Sequence, residues 1–423
     1  MKLRLILSAA LFLLISAASV RAEPYSITPW IKVRQSYSDN ILFETNETTD
    51  FISTLTGGLT LEQNKERLKT KLSGQLNQFF YWDHNELDAL DYNVSGRLNY
   101  KVTERAGLSA SARYAKDSRR ERETETTGLL VSGDRKRADF SLGADYMLSE
   151  LSRIEFSVDL EDSDTQETDY SEDNNSIKFS LAFRRDLSAY FKNTVGLFNL
   201  MYMRYTGEEE NFYTTIEGVW KRETIVFQDY ASDVYLFYTG FSHNISELYS
   251  LYCQAGVSYT QSSQKQDYYN DIDLLGFDYS DTFRSNSDKT DTWGGVLYTG
   301  INYKDEYWRM GLGLSQDVRG GTGTSGTVQR TSLSGSVDRK LSNELSLTFR
   351  ASAYLNKQER ELTSDTDTLT FTLQPGFKYR LKRDFLLSFA WRFTSVENRE
   401  KDTTKSRNLL YFDLKKEFDL KDF

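Results

Sequence analysis

The chain has 423 residues, of which 39% are hydrophobic and 27% are charged, and its formal net charge is −10 at pH 7. Soluble domains are usually about 45–50% apolar, so this composition argues against one large apolar core and fits a wall one residue thick whose inner face meets water. The single cysteine, Cys253, excludes an intrachain disulfide.

The first 22 residues have the features of a secretion signal. Lys2 and Arg4 precede an apolar run from Leu5 to Ile15, and the segment ends in Val20-Arg21-Ala22. This arrangement predicts cleavage after Ala22. Cleavage removes three basic residues and no acidic one, so the net charge of the mature chain becomes about −13. No later run reaches the roughly 20 apolar residues that a spanning helix needs.

The mature chain, residues 23–423, alternates apolar and polar residues with a period of two. Clear examples are 92–100, 154–160, 177–184 and 345–353. A period of two is typical of a β-strand with one apolar and one polar face. A soluble β-sandwich shows the same alternation, so the periodicity alone does not say which face meets water.

Short polar turns alternate with longer polar connections along the chain. The turns lie near Gln63-Asn64-Lys65, Thr103-Glu104-Arg105, Ser149-Glu150, Arg185-Asp186, Ile245-Ser246-Glu247, Lys304-Asp305-Glu306, Leu341-Ser342-Asn343-Glu344 and Lys382-Arg383-Asp384. The longer connections occupy roughly 37–50, 83–90, 115–136, 162–175, 206–231, 260–290, 318–328, 356–367 and 396–406. Short turns on one side and long loops on the other are typical of outer-membrane barrels. We therefore predict one all-β domain, a closed antiparallel transmembrane β-barrel of about 18 strands, with 16 to 20 compatible.

Aromatic residues support the same prediction. The chain contains 27 Tyr and 26 Phe, and many stand where strands leave the apolar band, as in 79–82 and at Tyr307 and Trp308. Such positions are typical of the two interfacial girdles of a barrel. The last strand alternates through Leu410, Phe412, Leu414 and Phe418, whereas Phe423 is out of phase with them, so the strand is expected to end at Phe418 and leave a five-residue tail. A terminal aromatic after an alternating strand is similar to the signal read by the barrel-assembly machinery.

If the apolar phase faces lipid, the opposite phase lines the lumen. Its basic residues are Lys32, Arg34, Lys69, Lys71, Arg97, Arg113, Lys178, Arg184, Lys192, Arg204, Arg309, Arg350, Lys378, Arg380 and Arg392. Its acidic residues are Glu62, Asp139, Asp145, Glu155, Asp159, Glu161 and Asp338. A confined basic lining concentrates anions and favours their passage. The alternative is that these charges pair and fill the lumen with salt bridges.

Catalysis has little support in the sequence. The chain has only two histidines, His84 and His243, and a hydrolase would need one of them beside a Ser or Asp. His84, near Asp83, Glu86 and Asp88, is the better candidate, although a solvated acidic loop explains it more simply. No metal-ligand spacing, phosphate-binding loop or nucleic-acid motif is present. We expect a protein without catalytic residues, without metal or other cofactors, and without a nucleic-acid partner.

The start of the mature chain resembles a known family. The segment is similar to the opening of the PEP-CTERM system-associated outer-membrane β-barrel proteins. The residues that carry the resemblance are 27–33, Tyr37-Ser38-Asp39-Asn40-Ile41, Asp50-Phe51-Ile52 and 57–61. The chain has Gly57 where that family often has Pro. The resemblance implies a location in the Gram-negative outer membrane and a neighbourhood of exosortase and exopolysaccharide loci.

Together these observations predict a porin-like transport protein, a conduit linked to exopolysaccharide export. A barrel of about eighteen strands is similar in size to the alginate exporters, whose interior is also basic. The alternatives are a general diffusion porin, with 206–231 or 260–290 folded inward as a constriction, a structural barrel with a plugged lumen, or an outer-membrane hydrolase. Expected partners are outer-membrane lipid and lipopolysaccharide, the barrel-assembly machinery, an anionic polysaccharide and periplasmic export proteins.

Overall fold

A computed structural model describes residues 26–118, 133–167, 170–217, 220–274, 277–320, 327–358, 366–382 and 384–418. The predicted signal peptide and the terminal Phe423 lie outside these ranges, as do parts of the connections predicted at 115–136, 318–328 and 356–367. No helix within the described ranges is long and apolar enough to cross a membrane.

Eighteen antiparallel strands form one sheet that closes on itself. The strands are β1 (Ser26–Ser38), β2 (Asp50–Asn64), β3 (Leu68–Tyr81), β4 (Ala89–Lys101), β5 (Ala106–Asp117), β6 (Asp134–Ser149), β7 (Ser152–Glu167), β8 (Tyr170–Asp186), β9 (Thr194–Glu217), β10 (Trp220–Asn244), β11 (Tyr249–Leu274), β12 (Phe277–Lys304), β13 (Trp308–Gly320), β14 (Thr327–Lys340), β15 (Leu345–Gln358), β16 (Thr366–Lys382), β17 (Phe385–Asn398) and β18 (Thr403–Glu417). Each pairs with its neighbours in sequence, and β1 also pairs with β18. The prediction of a closed barrel of about 18 strands is confirmed.

All eight predicted short turns separate strands in the structure. Hydroxyl and carboxylate side chains hold several of them by accepting backbone N–H groups. Ser246 accepts from Leu248 and Tyr249, and Asp305 accepts from Tyr307 and Trp308. These polar residues satisfy donors that a tight turn leaves without a sheet partner.

Three of the predicted long loops are mostly strand, which corrects the sequence interpretation. The described residues of 162–175, 206–231 and 260–290 extend existing strands, and β9 to β12 reach 24 to 28 residues each. Pairing of β10 with β11 is continuous from Trp220 and Leu274 to Asn244 and Ser250. Strand pairing needs backbone hydrogen bonds rather than apolar side chains, so polar composition does not end a hairpin that projects beyond the lipid.

The outer face of the wall is apolar. Residues such as Leu76, Leu142 and Leu312 expose about half of their surface. An aromatic row crosses the outside of β8 to β12 through Phe179, Tyr202, Tyr235, Tyr259 and Trp293, with successive ring centroids 6.2, 5.2, 6.3 and 4.9 Å apart. An exposed apolar wall with an aromatic row fits contact with lipid and its interface.

Gly256 is a position where β10 and β11 approach too closely for a side chain. A Cβ placed there would overlap the Phe237 carbonyl oxygen, whereas a Cβ at Gly57 meets nothing within 4 Å. We expect Gly256→Ala to lower the free energy of unfolding by about 1–3 kcal/mol through overpacking. Gly57→Ala is the control and should be near neutral. Urea unfolding of the refolded barrel measures both; equal midpoints would contradict the prediction.

Asp305 makes the β12–β13 turn sensitive to acid. The Tyr303 hydroxyl, followed by the backbone N–H of Trp308, holds the pKa of Asp305 below its ordinary value. The stabilisation is therefore complete above the ordinary aspartate pKa of about 4 and is lost as the pH falls through the lowered pKa. We expect the stability difference between wild type and Asp305→Asn to shrink towards low pH in unfolding titrations. A difference that does not change with pH would contradict this assignment.

Candidate functional site in the barrel lumen

The central lumen contains a cavity of about 1150 Å³ with a basic lining. Its charged residues come mainly from β3 to β8, with two from β13. The basic residues are Lys71, Arg97, Arg113, Arg135, Arg137, Lys178 and Arg319, and the acidic residues are Asp139, Asp159, Glu161 and Asp317. Seven basic groups against four acidic groups leave a positive excess around this space. In a cavity with low-dielectric walls, such an excess attracts anions.

Part of the lining consists of ion pairs. The Arg137 guanidinium lies 2.7 Å from Asp139 and 3.2 Å from Glu161, and the Lys178 amine lies 3.0 Å from Asp159. Arg97 forms no ion pair with any residue that the structure describes, and Arg113 donates from Nε to the Asn93 side chain at 3.3 Å. The ion pairs among Arg137, Asp139, Glu161, Lys178 and Asp159 fix these charged groups in place. Arg97 and Arg113 keep the lining basic.

Two smaller cavities extend the basic lining around the barrel. Arg350 and Arg392 line a space of about 380 Å³ together with Gln374, to which the Arg392 Nε donates at 3.1 Å. Lys32 and Arg34 line another of about 330 Å³. Arginine therefore faces the lumen on opposite halves of the sheet.

Arg34 also closes the seam between the first and last strands. Its Nε and Nη2 donate to the two carboxylate oxygens of Asp413 at 2.6 and 2.9 Å. The guanidinium lies 4.3 Å from the centre of the Tyr411 ring. This two-point contact joins β1 to β18 from inside the barrel, in the geometry that arginine and carboxylate favour.

Most of the predicted lumen residues alternate with the exposed apolar side chains and lie on the inner face. They are Lys32, Arg34, Lys69, Lys71, Arg97, Arg113, Lys178, Arg184, Arg309, Arg350, Lys378, Arg380 and Arg392. The predicted acids lie near them: Glu62 is 2.6 Å from Lys71, Glu155 is 3.0 Å from Arg184, and Asp145 is 3.8 Å from Arg153. Asp338 stands opposite Arg309 in the strand register.

Two predicted lumen residues lie elsewhere. Lys192 is in the turn between β8 and β9. Arg204 is on the outer face in phase with Tyr202, where its Nη1 is 3.9 Å from an Asp233 oxygen. The sequence prediction was wrong for Arg204 because β9 is apolar on both faces next to it, with Met203 inside and Tyr202 outside, so the alternation there has no readable phase. It was wrong for Lys192 because β9 begins only at Thr194.

Several lumen residues were missed from the sequence. Arg135 and Arg319 fall in the segments 115–136 and 318–328, which were predicted as loops, and Arg137 directly follows the first of them. A usable signal was present, because Arg135 and Arg137 are in phase with Asp139, a predicted inner residue. Extending β6 back by two alternating positions would have found both.

Neither histidine lies in the arrangement that the sequence suggested. The His84 Nδ1 is 3.1 Å from Asp50, a buried carboxylate that also accepts the N–H groups of Trp82 and Asp83. Among the described residues, the His84 side chain forms its ion pair with Asp50 and not with Asp83, Glu86 or Asp88. His243 bonds to Thr194 at 2.9 Å near a turn. Within the described ranges, no group of three His, Cys, Asp or Glu side chains could hold a metal.

The connection between β1 and β2, residues 39–49, packs against β18 and places Phe43 on the inner side of that strand. Phe43 is 1% exposed and lies 5.1 Å from the guanidinium of Arg407, a buried residue of β18. Asn40 holds the loop by donating to the Glu44 and Ser406 carbonyls. The prediction of 206–231 or 260–290 as an inward loop is wrong, because the described residues of both segments are paired strands.

No protein-family model matches the chain, and no curated protein matches its sequence. Solved structures with similar architecture include the ferric-catecholate import receptor Fiu from E. coli K12, with a TM-score of 0.48, 7% identity, and 94% of this chain and 82% of that one covered. The ferric yersiniabactin uptake receptor FyuA from Yersinia pestis has a TM-score of 0.44 and 8% identity over 92% and 80%.

The alcaligin outer-membrane receptor FauA from Bordetella pertussis is similar at a TM-score of 0.44 and 8% identity, over 94% of this chain and 76% of that one. All three scores are below 0.5, so they carry no argument about what this chain binds or moves. The closed wall and its apolar exterior are themselves the architecture of an outer-membrane-type barrel.

The contact between Arg34 and Asp413 should stabilise barrel closure. We expect Asp413→Asn to lower the free energy of unfolding by about 1–3 kcal/mol, because a charged hydrogen-bond partner is lost from a partly buried site. Arg34→Lys should also lower the free energy of unfolding, since one ammonium cannot make both contacts with the Asp413 carboxylate. Lys71→Gln, which breaks the more exposed pair with Glu62, is the control and should cost under about 1 kcal/mol. Urea unfolding provides the comparison, and equal losses at both pairs would argue against a closing role.

Proposed function

We propose that the protein is an outer-membrane conduit that favours anions and serves the export of an anionic exopolysaccharide. The observation that carries the proposal is the basic excess of the central cavity, which holds Arg97 and Arg113. The assignment of a polysaccharide as the solute rests in addition on the resemblance of residues 27–61 to barrels encoded near exopolysaccharide loci.

Charge is distributed unevenly in a way that supports a role for the lumen. The chain is acidic overall, with a formal net charge of −10, yet the wall of the central cavity is basic. A protein that needed charge for solubility alone gains nothing from concentrating arginine inside. A basic interior instead raises the local anion concentration and lowers the barrier to anion entry.

Arginine suits a polyanion with repeated carboxylates. The planar guanidinium binds a carboxylate at two points and releases it to a neighbouring guanidinium at similar energy. Arg97 on β4, Arg350 on β15 and Arg392 on β17 line different parts of the wall. A chain of acidic sugars could meet several of these groups in turn.

The second candidate is a structural barrel with a closed lumen. Two observations favour it: the ion pairs of Arg137 with Asp139 and Glu161, and the burial of Phe43 from the connection 39–49 beside Arg407 on the inner face. The two candidates differ in one measurable property, which is whether ions cross the refolded protein.

The test is single-channel conductance in a planar bilayer, with the reversal potential under a salt gradient. We expect anion selectivity in the wild type and reduced selectivity in Arg97→Ser/Arg350→Ser/Arg392→Ser, because three fixed charges leave the lining. The matched control is Arg67→Ser/Arg105→Ser/Lys401→Ser, which removes the same charge from exposed turns.

Equal selectivity in the two triple variants would contradict a basic conduit. A wild type that is silent at all voltages would support the closed barrel. Block of the current by a polyuronate, but not by a neutral dextran of equal length, would support the polysaccharide assignment, and equal block by both would oppose it.

A further inference from the structure

The wall of the barrel divides between β12 and β13. These strands pair from Lys304 and Arg309 to Leu297 and Gln316. Beyond that point β12 continues to Phe277 beside β11, whereas β13 continues to Gly320 beside β14 alone. The last residues of β13 are therefore released from the neighbour that would hold them in the wall.

The released end of β13, Asp317–Gly320, lies against the inner side of β9. A Cβ added at Gly320 would be 2.6 Å from the Tyr205 ring, although β10, β11 and β12 separate the two strands in the sheet. The Tyr298 hydroxyl donates to Asp317 at 3.0 Å. Contact between strands that are not neighbours means that this segment turns into the lumen.

An apolar cluster, called here the seat, joins the inturned segment to the inner wall; Val318 of the segment is one of its members and Tyr205 packs against it. Val318 is buried with Met203, Val234, Leu236 and Val296, which come from the inner faces of β9, β10 and β12. The inner face of a water-filled barrel is normally polar. These residues are apolar because they pack on one another and on β13 instead of facing water.

The inturned segment also borders the main cavity. Asp317, Val318 and Arg319 line it together with Arg137 and Glu161. The segment therefore occupies space inside the barrel beside the charged lining of the cavity. The Arg319 side chain is oriented by its ion pair with Asp317, at 2.9 Å.

We propose that Asp317–Gly320 is the constriction of the lumen and that its apolar seat, above all Tyr205 and Val318, sets the size of solute that passes. This goes beyond the proposed function, since it concerns size rather than charge and needs no particular substrate. It also differs from an inward loop, because the constricting element is the end of a strand.

Tyr205→Ala and Val318→Ala test the proposal. Each removes part of the seat, so we expect conductance to rise by roughly twofold or more and larger neutral polyethylene glycols to enter the pore. Tyr202→Ala is the matched control: it truncates the same residue type on the same strand, on the outer face, and should leave conductance and size limit unchanged. Heat-modifiable gel mobility confirms that each variant has folded.

A second measurement covers the case in which the alanine variants do not fold. In a Cys253→Ser background, Arg319→Cys modified with a bulky maleimide should reduce conductance severalfold, while Lys401→Cys in an exposed turn should not respond. Unchanged conductance and size limit in folded seat variants, or an unaffected current after labelling at position 319, would overturn the constriction.

The outcomes separate this inference from the conduit proposal. Seat variants that widen a pore without anion preference would support the constriction and reject the basic conduit. A silent wild type with conducting seat variants would mean that the segment closes the barrel, which also supports its role as the limiting element. An anion-selective wild type whose conductance and size limit do not change in the seat variants would support the basic conduit and reject the constriction.

Discussion

The structure depends on the need to pair every backbone polar group inside a wall that lipid surrounds. An open sheet would leave two rows of N–H and C=O groups in the hydrocarbon, at several kcal/mol for each group. Pairing of β1 with β18 removes both edges. Once the wall is closed, each strand has one face towards lipid and one towards the lumen, and the period of two assigns every side chain to one of them. The basic lining and the outer aromatic row follow from that single choice.

The face on which a charged side chain lies, and not the net charge of the chain, decides the charge of the lumen. An acidic chain can enclose a basic cavity because the two faces of a strand are independent in composition. Pairs such as Lys178 with Asp159 limit the repulsion among basic groups, while Arg97 and Arg113 keep the interior positive. The lining therefore combines ion pairs with an excess of positive charge.

The departures from alternation occur where other segments of the chain pack against the inner face of the wall. Apolar residues on the inner faces of β9, β10 and β12 break the rule that the interior is polar, and they do so where β13 turns inward. Phe43 in the connection 39–49 breaks it again beside Arg407. The first exception buries apolar surface by bringing together strands that are not neighbours in the sheet, and the second buries Phe43 against the inner face of β18.

The sequence by itself determined the strand class, a strand number of about 18, the positions of the eight short turns and the face of most basic residues, because alternation and turn chemistry are local properties. It assigned Arg97 and Arg350 to the inner phase without any knowledge of their neighbours. Only the tertiary structure decided the side of Arg204, the extension of β9 to β12, the inward path of 39–49 and the release of β13 from β12. Each of these depends on which segments pair or stop pairing across long stretches of chain, and a period of two contains no information about that distance.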